Sequence, residues 1–341
     1  MKVMTPHYYK DFRCIAGACT DTCCAGWDVD VDKDSYKYYK TVKGAFGKRL
    51  KSVMVPSQDG ECTFTLQEGG RCPFLNDDNL CDLYIELGED KLCETCAEFP
   101  RFINDYGNIR EIGIAPSCKT AGELMFSYKD ELTFDTVEDN SLTLEPNDID
   151  AYTYMHLRQA RIVAFGIISD RDISIFERLM LYLDYAKRIQ KHLDAEKDEL
   201  IAGVAKRFCG ADYREELLDK LKSRDEKLHG KRLIKGLRHF FDDFKGMEVI
   251  NPDWNIHVAR VRQFLDGLAD DSGLAAVMKT YHAGSEAFAH EYEQLAMYYV
   301  YRYMLDAVND YDILLKAKNA VIGILAVDIM AAANQASGCM P

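Results

Sequence analysis

Residues 19–27 read CTDTCCAGW, a short stretch that contains three cysteines. Cys19 and Cys23 are four positions apart, so they share a face on a helical turn, and in a loop they can converge on one ion. Cys23 and Cys24 are adjacent, and adjacent side chains diverge in a helix or a strand. One of that pair therefore faces away from a site that the other serves, or the turn is irregular.

Cysteines continue on both sides of this stretch. The chain has 12, and those in the first 118 residues are Cys14, Cys19, Cys23, Cys24, Cys62, Cys72, Cys81, Cys93, Cys96 and Cys118. A Cys-x2-Cys pair such as Cys93 and Cys96 can hold one tetrahedral ion. Thiolates suit both zinc and iron–sulfur clusters. The sequence therefore predicts a metal-organised N-terminal region and leaves the two kinds of metal open.

The N-terminus bears on whether these cysteines are oxidised. Residues 1–10, MKVMTPHYYK, lack the apolar core of a secretory signal, so we expect a cytoplasmic protein with reduced thiols. The longest apolar run, residues 320–327, ends at Asp328, and a bilayer span needs about 18 residues. We therefore expect metal binding and no membrane contact. Disulfides and free thiols are the alternatives, and any single cysteine can be a small buried apolar residue.

The charge balance limits the partners. The chain carries 42 Lys and Arg against 56 Asp and Glu, a formal net charge of -14. Nucleic-acid binding needs clustered cationic charge, so we expect no nucleic-acid partner. An acidic surface favours cationic partners such as lysine-rich protein segments, and it is also ordinary for soluble proteins.

Composition divides the 341 residues into two parts, as the length also suggests. Residues 1–130 carry the cysteines and short elements between turns, residues 131–147 resemble a linker, and residues 148–341 have helical periodicity. Ser174 and Glu177 form a capping box before a helix. A final helix from about Tyr311 to Ala333 is apolar nearly all round and should be buried. We predict an α+β fold that is mainly α, with the cysteine-rich region packed on a helical domain.

Shorter elements are predicted in the N-terminal part. Helices are expected at residues 32–40 and 121–126. One hairpin is expected to join residues 62–66 to residues 72–75 through Gly69 and Gly70. Another turn is expected at residues 105–108, before the alternating run at residues 112–114.

Several motifs together resemble the flagellin lysine-N-methylase family. They are FRCI at residues 12–15, CTDTCCAGW at 19–27, GRCPFL at 70–75, LC at 80–81, LCETCAEFPR at 92–101 and SC at 117–118. The N-terminal part is also similar to the wider family of zinc- or iron-chelating CxxCxxCC proteins. A weaker similarity lies at residues 298–314, so the resemblance spans most of the chain.

The resemblance implies an enzyme that transfers methyl groups from S-adenosylmethionine to lysine side chains of flagellin or a flagellin-like protein. It also implies an iron–sulfur cluster, most simply of the 4Fe-4S type, with zinc as the alternative. The chain departs from the family pattern at Cys93, where a serine is usual, and after Cys118, where Lys119 and Thr120 replace Pro-Glu. The shared ligand candidates are Cys14, Cys19, Cys23, Cys24, Cys72, Cys81, Cys96 and Cys118; the cysteines left outside are Cys62, Cys93, Cys209 and Cys339.

Eight thiols are twice what one tetrahedral site or one four-iron cluster needs, so there are two sites or about half of the eight are structural. The methyl-donor pocket has no sequence signal, because both the Gly-rich loop and a Cys-x3-Cys-x2-Cys run are missing. Arg101 is a weak candidate for holding a carboxylate or phosphate of the donor, or else pairs with Glu98. The tyrosines at residues 298–303 fit a core better than a lysine cage.

Two other functions fit the same residues. One is a metal-binding or electron-transfer protein that transfers no methyl group, and the other is a structural zinc protein. A polar methyl transfer needs a neutral lysine amine, so the enzyme hypothesis demands a base or a desolvating site. The sequence does not show which residue is that base.

Overall fold

The structure is a computed structural model, and it describes residues 1–341 except 57–60, 143–147, 229–231, 248, 250, 252 and 339–341; the side chains of residues 224–228 and 232 are also outside the description. Its elements confirm the predicted α+β class with a large helical majority. None of the helices in this described part of the chain has the length and hydropathy needed to cross a bilayer.

The first half of the chain contains the strands and the shorter helices. Its elements are β1 (Lys2–Pro6), β2 (Asp30–Val31), α1 (Lys33–Thr41), α2 (Gly44–Val53), β3 (Met54–Pro56), β4 (Cys62–Phe64), α3 (Asp82–Leu87), α4 (Glu94–Glu98), β5 (Arg101–Tyr106), β6 (Ile109–Ile114), α5 (Lys119–Ser127) and β7 (Phe134–Glu138). The predicted helices at residues 32–40 and 121–126 correspond to α1 and α5 and are confirmed.

One sheet has the strand order β5-β6-β1-β7. The β5–β6 hairpin turns at Gly107, which has φ +59, and it confirms the turn predicted at residues 105–108. β1 runs parallel to β6 and antiparallel to β7. Strand β7 therefore occupies part of the segment predicted as a linker, and the division into domains at residues 131–147 stays a prediction.

The other sheet has the order β2-β4-β3, and it shows that the hairpin predicted from residues 62–66 to residues 72–75 is wrong. β4 pairs with the preceding β3 and with β2, about thirty residues earlier in the chain. After the turn at Gly69 and Gly70, the chain pairs instead with the first cysteine stretch, since Cys72 N–H donates to the Cys24 carbonyl at 2.8 Å. The glycines do form a turn, but pairing with segments distant in sequence determines which strand each side of the turn contacts.

The second half is helical. Its helices are α6 (Ala151–Ile168), α7 (Ile175–Leu193), α8 (Ile201–Phe208), α9 (Ala211–Leu228), α10 (Arg232–Asp243), α11 (Asp253–Gly267), α12 (Asp271–Ser285), α13 (Ala289–Tyr303), α14 (Ala307–Asp310) and α15 (Ile313–Ala336). α15 confirms the predicted final helix, although Leu315, Ile322 and Leu325 on one side of it are exposed.

The capping box predicted before α7 is present. Glu177 N–H donates to the Ser174 hydroxyl at 3.4 Å, and the Glu177 carboxylate accepts from Ser174 N–H at 2.7 Å. Burial raises the pKa of Glu177, but hydrogen bonds from Lys222 and Ser174 outweigh it and leave the pKa below its usual value. The carboxylate is therefore the stable form at the start of this helix.

One large core joins both halves of the chain. It contains Tyr8, Phe102 and Ile114 from the strand-containing half together with side chains of α6, α7, α13 and α15. A second, smaller core lies within residues 29–93, and a third lies among α10, α11, α12 and α15. The cysteines of interest pack mainly on the second core, so a small apolar cluster supports them.

Candidate metal centre

The first cysteine stretch is held against residues 70–72 by backbone contacts. Gly26 N–H donates to the Gly70 carbonyl at 2.9 Å, and Ala25 and Arg71 form an isolated antiparallel bridge. Gly70 has φ +71, and a Cβ there would lie 3.4 Å from the Gly26 nitrogen. Glycine is therefore required both for the turn and for the close approach of the two segments.

Cys62 and five further cysteines lie on the second core, and we call these five the inner thiol group: Cys24, Cys72, Cys81, Cys93 and Cys96. Cys72 and Cys93 are buried within that core, and the other three are half-buried against it. Cys81 reaches it because it forms an isolated bridge with Leu75, two residues beyond Pro73. Four segments distant in sequence thus bring their thiols to one apolar cluster.

Arg49 of α2 fastens two of these segments. Its guanidinium donates to the Asp82 carboxylate at 2.6 Å and to the Pro73 carbonyl. Those acceptors immediately follow Cys81 and Cys72 in the chain. No local sequence pattern indicates this role of Arg49, because its partners lie 24 and 33 positions away.

Asp32 fastens a third segment. One carboxylate oxygen accepts from Asp34 N–H and Ser35 N–H at 3.1 and 2.9 Å and caps α1, while the other accepts from Glu94 N–H at 3.0 Å. Glu94 begins α4, which carries Cys96. Asp32 is therefore the N-cap of α1, and its contact with Glu94 connects two helix N-termini.

Cys14 and Cys118 lie close enough to Cys23 to raise its pKa, and we call these three cysteines the outer thiol group. Cys14 and Cys23 are exposed, and Cys118 is half-buried against the large core. Their loop is held to α5 because Lys119 Nζ donates to the Thr20 hydroxyl at 2.8 Å and lies 3.4 Å from the Asp21 carboxylate. Asp21 therefore orients the loop through a lysine.

Cys23 and Cys24 link the two groups. Hydrogen bonding between the Cys23 and Cys24 thiols, with the nearby thiols of Cys14 and Cys118, raises the pKa of Cys23. The same bond lowers the pKa of Cys24 to about 7, against the opposing effect of burial. The two thiols thus meet instead of diverging, so the predicted divergence is wrong, and both residues lie in a turn, which was the alternative.

Cys93 and Cys96 form a second hydrogen-bonded pair. Hydrogen bonding between the Cys93 and Cys96 thiols raises the pKa of Cys96 and lowers that of Cys93. Cys24 and Cys72 are also close enough to raise the pKa of Cys96. Cys93, which the family pattern left outside the ligand set, therefore belongs to the inner thiol group.

The remaining cysteines differ in their surroundings. Cys62 is buried in β4, and burial raises its pKa to about 11. Cys209 is exposed at the end of α8. Cys19 is half-buried on the loop that carries the outer thiol group. Cys339 lies outside the described residues. Every described cysteine is free.

The thiols fit a metal centre by their chemistry, and several of them pack on the same core. Soft sulfur donors from separate segments meet at one core, which is the donor set that zinc and iron–sulfur clusters use. Within the described residues, no three Cys, His, Asp or Glu side chains already converge on a point where an ion would sit. The choice of ligands among the eight candidates therefore stays a prediction, and so does the metal.

Arg101 lies beside this region and makes different contacts from either one predicted. Its Nε donates to the Tyr9 hydroxyl at 3.1 Å, and its guanidinium lies 5.6 Å from the centre of the Phe12 ring. Burial and the nearby charge of Glu94 raise the pKa of Glu98. The role of Arg101 in donor binding stays a prediction.

The tyrosines at residues 298–303 surround an arginine. The Arg302 guanidinium lies 4.9 Å from the Tyr303 ring centre and 5.8 Å from that of Tyr298. Tyr301 is buried and donates to the Met4 carbonyl at 2.7 Å. A cation of the chain itself already fills this aromatic cluster, which agrees with its interpretation as core.

Fold and thiol grouping define a mainly helical α+β protein with a cysteine-rich N-terminal region. Residues 161–338, just over half of the chain, match the family described as the FliB lysine N-methylase C-terminal domain. The chain belongs to this family, which confirms the resemblance seen in the cysteine motifs.

Curated relatives carry names in keeping with that family. The chain is 31% identical over 122 residues to the "Flagellar biosynthetic protein FliU" of Salmonella muenchen, an alignment that covers 34% of this chain and 72% of FliU. It is 30% identical over 122 residues to the "Lysine-N-methylase" of Salmonella choleraesuis and to that of Salmonella typhimurium, covering 34% of this chain and 30% of each. The chain thus spans less than a third of those two enzymes. No solved structure matches it.

Proposed function

We propose that this protein transfers methyl groups from S-adenosylmethionine to lysine side chains of a flagellin-like protein. The observation that carries the proposal is the family match over residues 161–338, and the relatives named lysine-N-methylase support it. The net charge of -14 favours approach of a lysine-bearing segment, since opposite charge speeds encounter.

We also propose that the cysteines hold an iron–sulfur cluster, with thiolates of the inner thiol group as the favoured ligands. The support is the meeting of Cys24, Cys72, Cys81 and Cys96 on one core, where Arg49 and Asp32 fasten the segments. A bound cluster supplies electron transfer at a potential set by burial and hydrogen bonds to sulfur. The chain's own contribution is to exclude water on the core side and to fix the segment positions.

The outer thiol group supports a second site or a redox-active thiol pair beside the first. Cys23 is exposed, and its hydrogen bond to Cys24 places it next to the inner thiol group. A structural zinc site is the competing function for the same residues, because four thiolates also satisfy zinc. Binding of S-adenosylmethionine separates the methylase from that alternative.

The test is methyl transfer by the complete, anaerobically purified protein. Flagellin is incubated with S-adenosylmethionine carrying an isotopically labelled methyl group, and lysine-containing peptides are analysed by mass spectrometry. We expect labelled methyl-lysine with the wild type and with the Cys209→Ser control, and a loss of label with Cys96→Ser. Absence of label on flagellin, with no binding of S-adenosylmethionine by calorimetry, would contradict the methylase proposal.

A further inference from the structure

A buried carboxylate interrupts the apolar helix α15. Asp328 follows the apolar run at residues 320–327 and is 2% exposed. Burying a carboxylate is costly unless hydrogen bonds and charge partners compensate it. The contacts of Asp328 therefore show how its buried charge is compensated.

Two side chains from two other helices contact that carboxylate directly. His282 of α12 places Nε2 3.0 Å from both carboxylate oxygens, and the Tyr292 hydroxyl of α13 donates to one of them at 3.1 Å. The Tyr281 and Tyr292 hydroxyls are 2.9 Å apart. Burial, followed by the hydrogen bond to Tyr281 and the charge of Asp328, raises the pKa of Tyr292, so its hydroxyl remains a donor.

The imidazole is held between this carboxylate and solvent. One face of His282 stacks on Phe176 of α7, with ring centres 4.7 Å apart. The side chain is 36% exposed, whereas that of Asp328 is 3% exposed. With Nε2 donating to Asp328, Nδ1 carries the lone pair, and no described residue provides it with a hydrogen-bond partner. This arrangement of a buried carboxylate orienting a partly exposed imidazole is the geometry of a general base.

The elements around His282 carry other charged or titratable groups. They are Lys279, Tyr281 and Glu286 near His282 in the chain, Glu177 and Arg178 on α7, and His290 and Glu291 on α13. Several have other partners: Arg178 pairs with Glu293 at 2.7 Å, and Glu177 pairs with Lys222 and caps α7. Asp328 is the carboxylate that directly contacts the imidazole.

We propose that His282 is the base that accepts the proton of the substrate lysine, and that Asp328 is the positioning residue that fixes its tautomer. This inference rests on the methyl transfer proposed above. The lysine ammonium gives one proton to His282 Nδ1 and becomes a neutral amine. Its lone pair then forms the N–CH₃ bond with the sulfonium methyl of S-adenosylmethionine, while the C–S bond breaks and its electrons remain on sulfur as a thioether. The product is a methylammonium group, and the imidazolium releases its proton to water.

The kinetic test compares His282→Gln, Asp328→Asn and a matched control. Glutamine can still donate to Asp328, so folding is preserved, but it cannot accept a proton. We expect His282→Gln to lower the single-turnover rate on flagellin by about 100-fold or more and to remove the fall in rate at acid pH, as general bases contribute on this scale. Asp328→Asn should lower the rate and shift the acid limb. His192→Gln, in the last turn of α7, should match the wild type.

The outcomes separate this inference from the proposed function. If the wild type transfers methyl groups and His282→Gln keeps both the rate and the acid limb, the base assignment is overturned while the methylase stands. If the wild type transfers none, the methylase proposal fails by itself, and the assignment fails with it.

A readout without turnover tests the tautomer directly. The complete protein is labelled with ¹⁵N-histidine, and His282→Gln identifies the His282 signals. At alkaline pH we expect a protonated Nε2 and an unprotonated Nδ1 in the wild type, and a mixture of tautomers in Asp328→Asn. A protonated Nδ1 in the wild type would overturn the inference, because that nitrogen could not accept a proton.

Discussion

Arg161 and Glu111 form a buried ion pair that joins the strands to the helical half, and replacing Arg161 by methionine should strongly destabilise the protein. Glu111 lies in β6 with a fully buried side chain, and Arg161 of α6 is 3% exposed. Arg161 donates through both terminal nitrogens to the Glu111 carboxylate, and through one of them to the Tyr301 carbonyl at 3.2 Å. The substitution leaves a carboxylate in the large core with no cationic partner.

The magnitude follows from that burial. Removing one member of a buried ion pair typically costs about 3–5 kcal/mol, because the remaining charge is uncompensated. The guanidinium also lies 5.5 Å from the ring centres of Phe165 and Tyr301, so lost packing adds to the electrostatic effect. Replacing both partners in Arg161→Met/Glu111→Leu should restore most of the lost stability, since no charge then remains buried.

The assay is urea unfolding followed by far-UV circular dichroism and by tryptophan fluorescence. The chain has two tryptophans, Trp27 near the cysteines and Trp254 in α11, so fluorescence reports on both halves. Lys37→Met, which removes an exposed pair with Asp34, is the control and should leave the midpoint unchanged. A loss of unfolding free energy below about 1 kcal/mol for Arg161→Met would refute the reasoning, because a buried unpaired carboxylate destabilises a protein by more than that.

Further predictions concern the cysteine region and the capping box. Asp32→Ala should cost about 1–2 kcal/mol in urea unfolding, since a cap shared by two helices is lost; an unchanged midpoint would contradict that role. Cys23→Ser and Cys96→Ser should each lower metal content and the thermal stability of the holoprotein, whereas Cys209→Ser should change neither; equal metal in all three would contradict the ligand assignment. Glu177 has a lowered pKa in the folded state, so it adds stability above its unfolded value of about 4.3, and that stability is lost as pH falls through the folded pKa. Glu177→Gln should flatten this part of the stability profile between neutral and acid pH, and an unchanged acid limb would show that the carboxylate is not a stabilising group.

Local sequence signals predicted local structure well. The serine and glutamate of the capping box lie three residues apart, and the β5–β6 hairpin needs only the turn at Gly107, so neither depends on the rest of the chain. Cys23 and Cys24 are an exception, because they lie in a turn where their thiols interact, whereas helix or strand geometry would make adjacent side chains diverge.

Contacts between distant segments were not predictable in this way. Cys72 pairs through its backbone with Cys24 rather than with β4, and no local pattern distinguishes these partners. The His282 contact with Asp328 spans 46 positions, and the sequence showed only a charge at the end of an apolar run. The choice of metal ligands was unpredictable for the same reason, because eight thiols can be grouped in many ways until the fold brings their segments together.

The central claim is that the N-terminal thiols hold an iron–sulfur centre, and its most direct test is a visible absorption spectrum with iron, sulfide and zinc analysis of protein purified without oxygen. We predict iron with matching sulfide and absorbance near ~400 nm, both reduced in Cys96→Ser and retained in Cys209→Ser. Colourless protein with stoichiometric zinc would contradict the claim and assign the cysteines to a structural site.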